Sequence, residues 1–374
     1  MPLKINAFFR SPSPHMMDLW EAVHKKENVQ LNLFFQEPIN AYKPWGKVSE
    51  ELRVEILHWS AMTLVDQIRT LRRIASVPAD VWVMGESWWL WENHILLTFI
   101  ARRNKVPVSC FVAEPIGDKI NWYSRKSSVG QAIYNKTKQK IIPLVLSRFS
   151  SIAAIGQWGG AQYQDFLPQR DVFITQYYVN PLGCCQQKIL NSDKITLGYC
   201  GQLIPRKGLH ILLNTLQSIA NYNNWELLIA GDGPQRKELE NMVPQRLRNR
   251  VKFLGFQTQQ QLIRFWQAVD ILVFPSIFDG WAMVVMEALT AGAPVLSGPN
   301  VGAARHYIAE GRNGWIREVD ENFLEPIEDI LQNPSKISLL SVEARRSVID
   351  YTPETGADSF LRNLNRIVAN RARG

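Results

Sequence analysis

The sequence predicts an α/β protein with two doubly wound domains, each built around a parallel sheet. Short apolar runs rich in Val, Ile, Leu and Phe alternate with segments of helical spacing, which is the pattern of a parallel sheet flanked by helices. This alternation occurs in two series, and it lapses between them within residues 180–193. A length of 374 residues also suits two domains of ordinary size.

The first series occupies the N-terminal half, and a Ser-Pro-Ser-Pro turn at residues 11–14 introduces its first helix. Its predicted strands are Leu3–Phe9, Val29–Phe35, Asp80–Met84, Val106–Val112 and Ser151–Ile155. Its predicted helices are Met16–Lys26, Ala61–Ile74 and Trp88–Arg103.

The second series begins near Lys194, and its last helix opens at Asp279-Gly280-Trp281 and stops before Gly292 and Pro294. The predicted strands are Ile195–Cys200, Trp225–Ala230, Val251–Leu254, Ile271–Pro275 and Val295–Ser297. The other predicted helices are Leu209–Asn221, Gln235–Met242 and Gln259–Val269. A further amphipathic segment, Pro353–Asn370, ends the chain, and its pattern leaves open which domain it packs on.

The composition describes a globular protein, with 46% apolar and 20% charged residues. Four cysteines without metal-binding spacing fit a reducing compartment. No N-terminal segment has the form of a signal peptide, and no apolar run reaches the ~18 residues of a spanning helix. We therefore expect a cytoplasmic protein, with any attachment to the inner face of the membrane being peripheral.

The positive charge is concentrated in residues 101–150, where ten basic residues face two acidic ones. This excess equals the net charge of +8 for the whole chain. A basic segment attracts an anionic membrane, nucleic acid or an anionic substrate. The alternative interpretation is a solvent-exposed face without a binding role. Interleaved aromatic residues, among them Trp122 and Tyr134, favour a membrane surface. No nucleic-acid recognition motif accompanies the charge, so we expect no nucleic-acid partner.

Two groups of charged residues follow strands of the second series. Arg206 and Lys207 lie after the strand that ends at Cys200, where open α/β sheets bind ligands. Asp279 and Glu287 stand eight positions apart after the strand that ends at Pro275. Backbone N–H groups at a helix start bind phosphate, and a carboxylate further along the helix accepts sugar hydroxyls. The combination predicts a nucleotide-sugar site.

Each of these residues also has a structural interpretation. Arg206 and Lys207 fit an exposed pair in front of a helix, because charged residues usually lie at the surface. Asp279 fits the N-cap of the helix that follows it. Glu287 fits a carboxylate that faces solvent. The functional interpretation is favoured because both groups fall at strand ends of one sheet.

Five motifs in the second series carry a family resemblance. They read GQLIPRKGL, LLIAGDGP, VKFLGF, FPSIFDGWAMVVMEALTAGAPV and GPNVGAARHYI…GRNGW. Residues 195–316 thereby resemble the donor domain of a retaining GT-B glycosyltransferase of family 4. The resemblance implies a GT-B fold of two Rossmann-like domains that face a cleft. Residues 1–180 would bind the acceptor and residues 190–352 the donor, and a C-terminal helix of about 353–374 would be free to return to the acceptor domain.

The resemblance also assigns residues to roles. Glu287 would hold the ribose hydroxyls, Asp279 would lie near the transferred sugar, and Lys207 with Arg206 would hold the diphosphate. The backbone of Phe253, Leu254 and Gly255 would line the base. The remaining residues assigned to the donor site are Gly201, Gln202, Gly231, Gly233, Gly280, Trp281, Ala282, Met283 and Val284.

The chain departs from the family pattern at two positions. The first carboxylate is Asp279 where the family has Glu, and Gln202 stands where the family has Arg. In the N-terminal half, Glu114 and His15 are the polar residues best placed to line the cleft. The sequence contains no Asp-x-Asp motif. We therefore predict neither a metal site nor a cofactor, and the nucleotide-sugar is a co-substrate.

The function predicted from these features is transfer of a sugar from a nucleotide-sugar to a glycan or glycolipid, with retention of anomeric configuration and without a metal. Two alternatives stay open. A nucleotide-sugar epimerase has the same fold and needs no second substrate. A catalytically inactive nucleotide-sugar binder is suggested by Gln202, although Lys207 and Glu287 argue against it.

Overall fold

The computed structural model describes residues 1–38, 52–85, 109–115, 146–178, 194–320 and 323–372. The chain divides into two compact units. Among the described residues, the first unit contains 1–38, 52–85, 109–115, 146–178 and 353–372, and the second contains 194–320 and 323–352. The predicted helix Trp88–Arg103, residues 180–193 and most of the basic segment lie outside the described residues.

The first unit is a seven-stranded sheet in which every neighbouring pair is parallel. The strands lie in the order β3-β2-β1-β4-β5-β6-β7. They are β1 Leu3–Phe9, β2 Val29–Phe35, β3 Val54–Ile56, β4 Val81–Gly85, β5 Ser109–Ala113, β6 Ser151–Ile155 and β7 Asp171–Thr175. The helices that connect them are α1 Pro14–His24, α2 Leu64–Ala75 and α3 Gly156–Phe166, with a 3₁₀ turn at Trp59–Ala61.

Both faces of this sheet are buried, as parallel sheets require. Ala7 and Phe9 lie in one apolar cluster, whereas Phe8 between them lies in another. Successive side chains of a strand point to opposite faces, so the two clusters cover the two sides of the sheet. Trp82 in β4 is fully buried and stacks on Phe34 with ring centroids 6.2 Å apart.

The second unit is a six-stranded parallel sheet in the order β10-β9-β8-β11-β12-β13. Its strands are β8 Ile195–Cys200, β9 Trp225–Ala230, β10 Val251–Gly255, β11 Ile271–Phe274, β12 Val295–Ser297 and β13 Gly314–Ile316. Its helices are α4 Leu209–Thr215, α5 Arg236–Met242, α6 Gln259–Ala268, α7 Met283–Ala291, α8 Gly302–Tyr307, α9 Glu325–Gln332 and α10 Lys336–Arg346, with 3₁₀ turns at Pro205–Lys207 and Gln245–Leu247. This strand order is that of a Rossmann sheet, so the predicted fold class is confirmed.

The C-terminal helix α11, Pro353–Ala372, belongs to the first unit. The Phe360 ring packs edge-on against Trp20 of α1 with centroids 5.8 Å apart. Arg366 reaches Asp171 of β7 at 2.9 Å. The chain therefore crosses to the second unit and returns. No helix within the described residues combines the length and apolar character needed to cross a membrane.

The predicted element boundaries differ from the structure in two instructive places. Helix α1 begins at Pro14 and not at Met16, because proline suits the first helical position. Helix α4 ends at Thr215 although the apolar spacing continues to residue 221. The indole N–H of Trp225 in β9 donates to the Ile219 carbonyl at 2.8 Å. That carbonyl therefore bonds the neighbouring strand, and residues 216–221 form turns.

Candidate active site

The candidate site lies where the order of the second sheet reverses direction. Strands β8 and β11 are neighbours, yet the chain leaves β8 toward β9 and leaves β11 toward β12. Loops that follow two such strands diverge, and the crevice between them is where open α/β sheets bind ligands. Residues 201–208 follow β8 and residues 275–282 follow β11. All the residues assigned to diphosphate and sugar lie in these loops or in α7.

The loop after β8 is held against the loop after β11 by Gly208. Its φ is +72°, and a Cβ there would lie 1.9 Å from the Pro275 carbonyl oxygen. Only glycine fits such an approach. On the other side, the Arg206 carbonyl accepts the Ile277 N–H at 3.0 Å and the buried Ser276 hydroxyl at 3.3 Å. These contacts fix the 3₁₀ turn that presents Arg206 and Lys207.

Three of the predicted site residues meet in this crevice. The Lys207 ammonium forms an ion pair with Oδ2 of Asp279, and Arg206 Nη1 lies 3.9 Å from the same oxygen. Arg206 also donates to the Phe278 carbonyl at 2.6 Å. The Lys207 and Asp279 side chains are each 13% exposed and that of Arg206 is 22% exposed. The pair is therefore not the exposed surface pair that the alternative interpretation described.

Asp279 is a charged counter-ion and not a helix cap. Burial favours its neutral form, but the charges of Lys207 and Arg206 outweigh this and hold its pKa below the usual range. The N-cap of α7 is Ala282, and no side chain caps that helix. Oδ1 of Asp279 instead faces the Trp281 N–H at 3.4 Å, within the loop.

The start of α7 has a strained backbone. Ala282 has a φ of +68° and a ψ of +80°, a left-handed conformation that side chains disfavour. The loop before it is clamped by α8, because the Gly302 N–H donates to the Asp279 carbonyl at 3.0 Å. A Cβ on Gly302 would lie 2.0 Å from the Gly280 carbonyl oxygen. The packing of Gly302 against Gly280 thus maintains the geometry of Asp279 to Ala282.

Glu287 lies further along α7 and is half-buried. Burial raises its pKa to about 7, and the neighbouring Trp266 side chain opposes part of the rise. The charges of both Glu287 and Lys207 act on the thiol of Cys200 at the end of β8, whose pKa burial raises. Glu287 therefore shares one electrostatic environment with the cation pair. Its carboxyl group is poised between its two protonation states near neutral pH.

The glycine residues assigned to the donor site join two neighbouring loops. Gly231, with a φ of +139°, would place a Cβ 1.9 Å from the Gly201 carbonyl oxygen, and Gly233 would place one 2.6 Å from that of Leu203. The Gly231 N–H donates to the Gly255 carbonyl at 2.8 Å, so the end of β10 adjoins them. The residues that share this edge are Gly201, Gln202, Gly231, Gly233, Phe253, Leu254 and Gly255. Gln202 is exposed.

The two N-terminal candidates lie in the first unit. Glu114 follows β5 and is half-buried, and its main-chain carbonyl accepts the Tyr163 hydroxyl at 2.7 Å. The predicted helix begins at Met16, which would leave His15 in the loop before it, but His15 lies in the first turn of α1. Its side chain falls outside the described part. Their roles toward substrate stay predictions.

Sequence reasoning missed two supports of the site. Ser276 is fully buried and its hydroxyl also approaches the Phe278 carbonyl at 3.1 Å, tying the β11 loop to Arg206. His306 packs on Trp281 with ring centroids 5.5 Å apart, and burial lowers its pKa. Ser276 lies inside a quoted motif, but a small hydroxyl residue gives no signal of its partners. Within the described residues, no cluster of three His, Cys, Asp or Glu suits a metal ion.

The second unit matches a known protein family. Residues 186–354 match the family model described as Glycosyl transferases group 1. This part of the chain is similar to the glycosyl transferases of group 1. This match, together with the glycosyltransferases among the relatives, supports the predicted enzyme class.

Individual relatives of the glycosyltransferase domain share modest identity. An uncharacterized glycosyltransferase of Methanocaldococcus jannaschii is 32% identical over 129 residues, which cover 34% of this chain and 33% of the relative. The GDP-mannose-dependent alpha-mannosyltransferase of Corynebacterium glutamicum is 26% identical over 178 residues, covering 47% and 41%. The matched part thus spans about a third to two-fifths of these curated relatives.

The likeness in three dimensions extends over nearly the whole chain. The crystal structure of Anabaena HepE in complex with UDP aligns with a TM-score of 0.71 and 16% identity, covering 97% of this chain and 100% of that one. At this identity the likeness shows the fold alone. It agrees with the predicted fold class, in which each of the two units is a Rossmann-like α/β domain.

Proposed function

We propose that the protein is a retaining glycosyltransferase that moves a sugar from a nucleotide-sugar to a glycan or glycolipid acceptor. The observation that carries the proposal is the meeting of Lys207, Arg206 and Asp279 at the point where the donor sheet reverses direction. Partly buried cations at such a point suit a diphosphate. The group 1 family match and the glycosyltransferases among the relatives support the same reaction class.

The proposed roles follow from position. Lys207 and Arg206 bind the diphosphate, and the first turn of α7, which no side chain caps, presents its N–H groups to the same anion. Glu287 accepts hydrogen bonds from the ribose hydroxyls. The end of β10 at Phe253 to Gly255 lines the base. Asp279 stands beside the transferred sugar and the cations together.

In the proposed reaction the bond between the sugar anomeric carbon and the phosphate oxygen breaks, and its electron pair leaves with the phosphate. The acceptor oxygen bonds to the same face of that carbon, which retains the configuration. The acceptor proton passes to the departing phosphate oxygen, so no dedicated base is required. Lys207 and Arg206 stabilise the charge that develops on this oxygen. Fixed cations supply the charge compensation that a metal ion supplies elsewhere, so we propose a metal-independent reaction.

The base and the sugar are the subject of the first experiment. A curated relative is named for GDP-mannose and a solved neighbour contains UDP, so both bases enter the panel. Thermal shift with UDP, GDP and ADP, and with a sugar derivative of each, should show stabilisation by one base. The same shift should persist in chelator. Absence of stabilisation by every nucleotide would contradict the proposal.

Product analysis then separates the alternatives. The comparisons give no support to an epimerase or to an inactive binder. Incubation with the stabilising nucleotide-sugar and a lipid or glycan acceptor should release nucleoside diphosphate, and omission of the acceptor should abolish most of that release. Conversion of the sugar without acceptor would indicate an epimerase. Binding without turnover for any acceptor tested would favour the inactive binder.

We further propose that the basic segment, residues 101–150, binds an anionic membrane surface that presents the acceptor. The support is the sequence itself, in which ten basic residues are interleaved with aromatic ones. Each basic residue near an anionic surface contributes about 1 kcal/mol. Co-sedimentation with anionic vesicles should fade in high salt and weaken when Lys136, Lys138 and Lys140 become Glu. Equal binding to neutral vesicles would contradict the proposal.

A further inference from the structure

We propose that Asp279 is a built-in counter-anion that competes with the donor diphosphate for Lys207 and Arg206, and that it thereby favours release of the nucleoside diphosphate product. This inference rests on the proposed function. It assigns to Asp279 a property that the family resemblance, which places it near the sugar, does not.

A single carboxylate oxygen faces both cations. Oδ2 of Asp279 is ion-paired with the Lys207 ammonium and lies 3.9 Å from Arg206 Nη1. Each partner is also held from another side. The Lys207 ammonium lies 5.1 Å from the centroid of the Phe274 ring, and Arg206 donates to the Phe278 carbonyl. The three charges therefore form a preorganised group and not a mobile surface pair.

The charges in this group set its affinity for anions. Lys207 and Arg206 bring two positive charges, and Asp279 neutralises one of them where the side chains are mostly buried. Charges interact strongly where solvent is largely excluded. A diphosphate that binds the two cations must share them with this carboxylate. Asp279 consequently weakens the binding of every anion in proportion to the charge that the anion brings.

The donor and the product differ in that charge. A nucleotide-sugar carries two negative charges on its diphosphate. Transfer releases a terminal phosphate that has gained the acceptor proton, and this group, with a second pKa of about 6, loses the proton to solvent at neutral pH. The free nucleoside diphosphate therefore carries about three negative charges at neutral pH. Asp279 repels the product more than the donor, and the difference favours exchange of product for fresh donor.

The direct test replaces Asp279 with the neutral isostere. The ligands are the nucleoside diphosphate that stabilises the wild type, UDP or GDP, and its sugar derivative, UDP-glucose or GDP-mannose. In Asp279→Asn the Kd of the nucleoside diphosphate should fall about tenfold, because one nearby unit charge has been removed. The Kd of the sugar derivative should fall less. In any residual turnover, product inhibition should strengthen by the same factor as product binding.

Asp270→Asn is the matched control. Asp270 is another aspartate of the second unit, and it is buried. It precedes strand β11, whereas Asp279 follows that strand, and its Oδ2 accepts the Thr196 N–H at 2.7 Å. Its replacement removes the same charge at the opposite end of the strand. Asp270→Asn should leave the ratio of the two dissociation constants, for the nucleoside diphosphate and for its sugar derivative, unchanged. If losing any buried negative charge of this unit altered the ratio, both variants would alter it.

A measurement on the wild type does not depend on the folding of any variant. The methyl ester of the nucleoside diphosphate lacks the third charge. Because Asp279 cancels one of the two cation charges, the ester should bind the wild type within tenfold of the free diphosphate. Tenfold tighter binding of the free diphosphate would overturn the inference. So would unchanged or weaker diphosphate binding by a folded Asp279→Asn. A wild type that binds no nucleoside diphosphate would instead overturn the proposed function.

Discussion

Lys207 and Asp279 stand 72 positions apart in the chain and meet as an ion pair beyond the carboxyl ends of two adjacent strands. Both side chains are mostly buried, and each provides the opposite charge that the other needs there. Removing one of them would leave the other as an unpaired, desolvated charge, which is unfavourable. The pair thus connects the stability of the donor domain to its proposed chemistry.

Replacing Lys207 with alanine should reduce both turnover and stability. We expect kcat to fall roughly 10²–10³-fold, as when an electrostatic stabiliser of the transition state is removed. Unfolding in denaturant should show a loss of stability as well, since the cation that then remains beside Asp279 is Arg206, at 3.9 Å. Lys252→Ala is the control, because its ion pair with Glu226 lies nearer the surface and such pairs contribute little. Turnover within a few-fold of wild type would contradict the assignment.

Replacing Glu287 should weaken donor binding. A charge-assisted hydrogen bond contributes roughly 1.5–3 kcal/mol, and the ribose offers two hydroxyls. Glu287→Ala should therefore raise the donor dissociation constant by at least tenfold, measured by calorimetry. Glu238→Ala, an exposed position in α5, serves as the control. An unchanged dissociation constant in Glu287→Ala would remove this residue from the donor site.

Glu287 should also give the protein a pH-dependent stability of definite sign. Its pKa is about 7 in the folded state against an ordinary value of 4.5. Between these values the folded state retains a proton that the unfolded state releases, so stability falls as pH rises. The loss is at most about 3 kcal/mol. Denaturant unfolding at pH 5 and pH 8 should show a smaller difference for Glu287→Gln than for wild type, and an equal difference would contradict the assignment.

Much of the site was predictable from sequence because its residues fall in fixed positions after strands. Lys207, Asp279 and Glu287 were all placed at one edge of a parallel sheet by the alternation of strands and helices alone. The ion pair itself was not predictable, since spacing along the chain does not state which side chains meet across 72 positions. The helical N-cap was assigned to Asp279 as an alternative because Asp is a common cap, whereas the structure places Ala282 there.

The fold likewise has features that the sequence predicts and features that it does not. The parallel pairing within both sheets follows from βαβ connectivity, which the alternating pattern predicts, whereas the order of the strands does not follow from it. The short α8, Gly302–Tyr307, had no periodic signal because six residues are too few to display one. Its close approach to the Gly280 carbonyl depends on the lack of a side chain at Gly302. The chain has 22 glycines, and the sequence does not show which of them makes such a contact.

The left-handed Ala282 should be stabilised by glycine. A φ of +68° strains alanine but not glycine, so Ala282→Gly should raise the free energy of unfolding by up to about 1 kcal/mol. Ala288→Gly, in the interior of the same helix, should lower it by at least about 1 kcal/mol. Opposite signs for the same chemical change would identify the backbone as the cause. If Ala282→Gly destabilises as Ala288→Gly does, the strain assignment is wrong.

Gly208 should tolerate no side chain, and Gly311 is the matched comparison because it has a similar backbone conformation but open space around it. The two glycines have nearly equal φ angles, +72° and +70°. A Cβ on Gly311 meets nothing within 4 Å, so Gly311→Ala should lose only about 1–2 kcal/mol of stability to left-handed strain. A Cβ on Gly208 would lie 1.9 Å from the Pro275 carbonyl oxygen.

Gly208→Ala should therefore destabilise the donor domain by a further 1–3 kcal/mol or so. It must also push the loop of Arg206 and Lys207 away from the loop of Asp279, which Gly311→Ala does not. Donor binding and kcat should consequently fall in Gly208→Ala and stay near wild type in Gly311→Ala, measured at a temperature where both are folded. Equal activity in the two variants would show that the close approach of Gly208 to Pro275 does not position the cations.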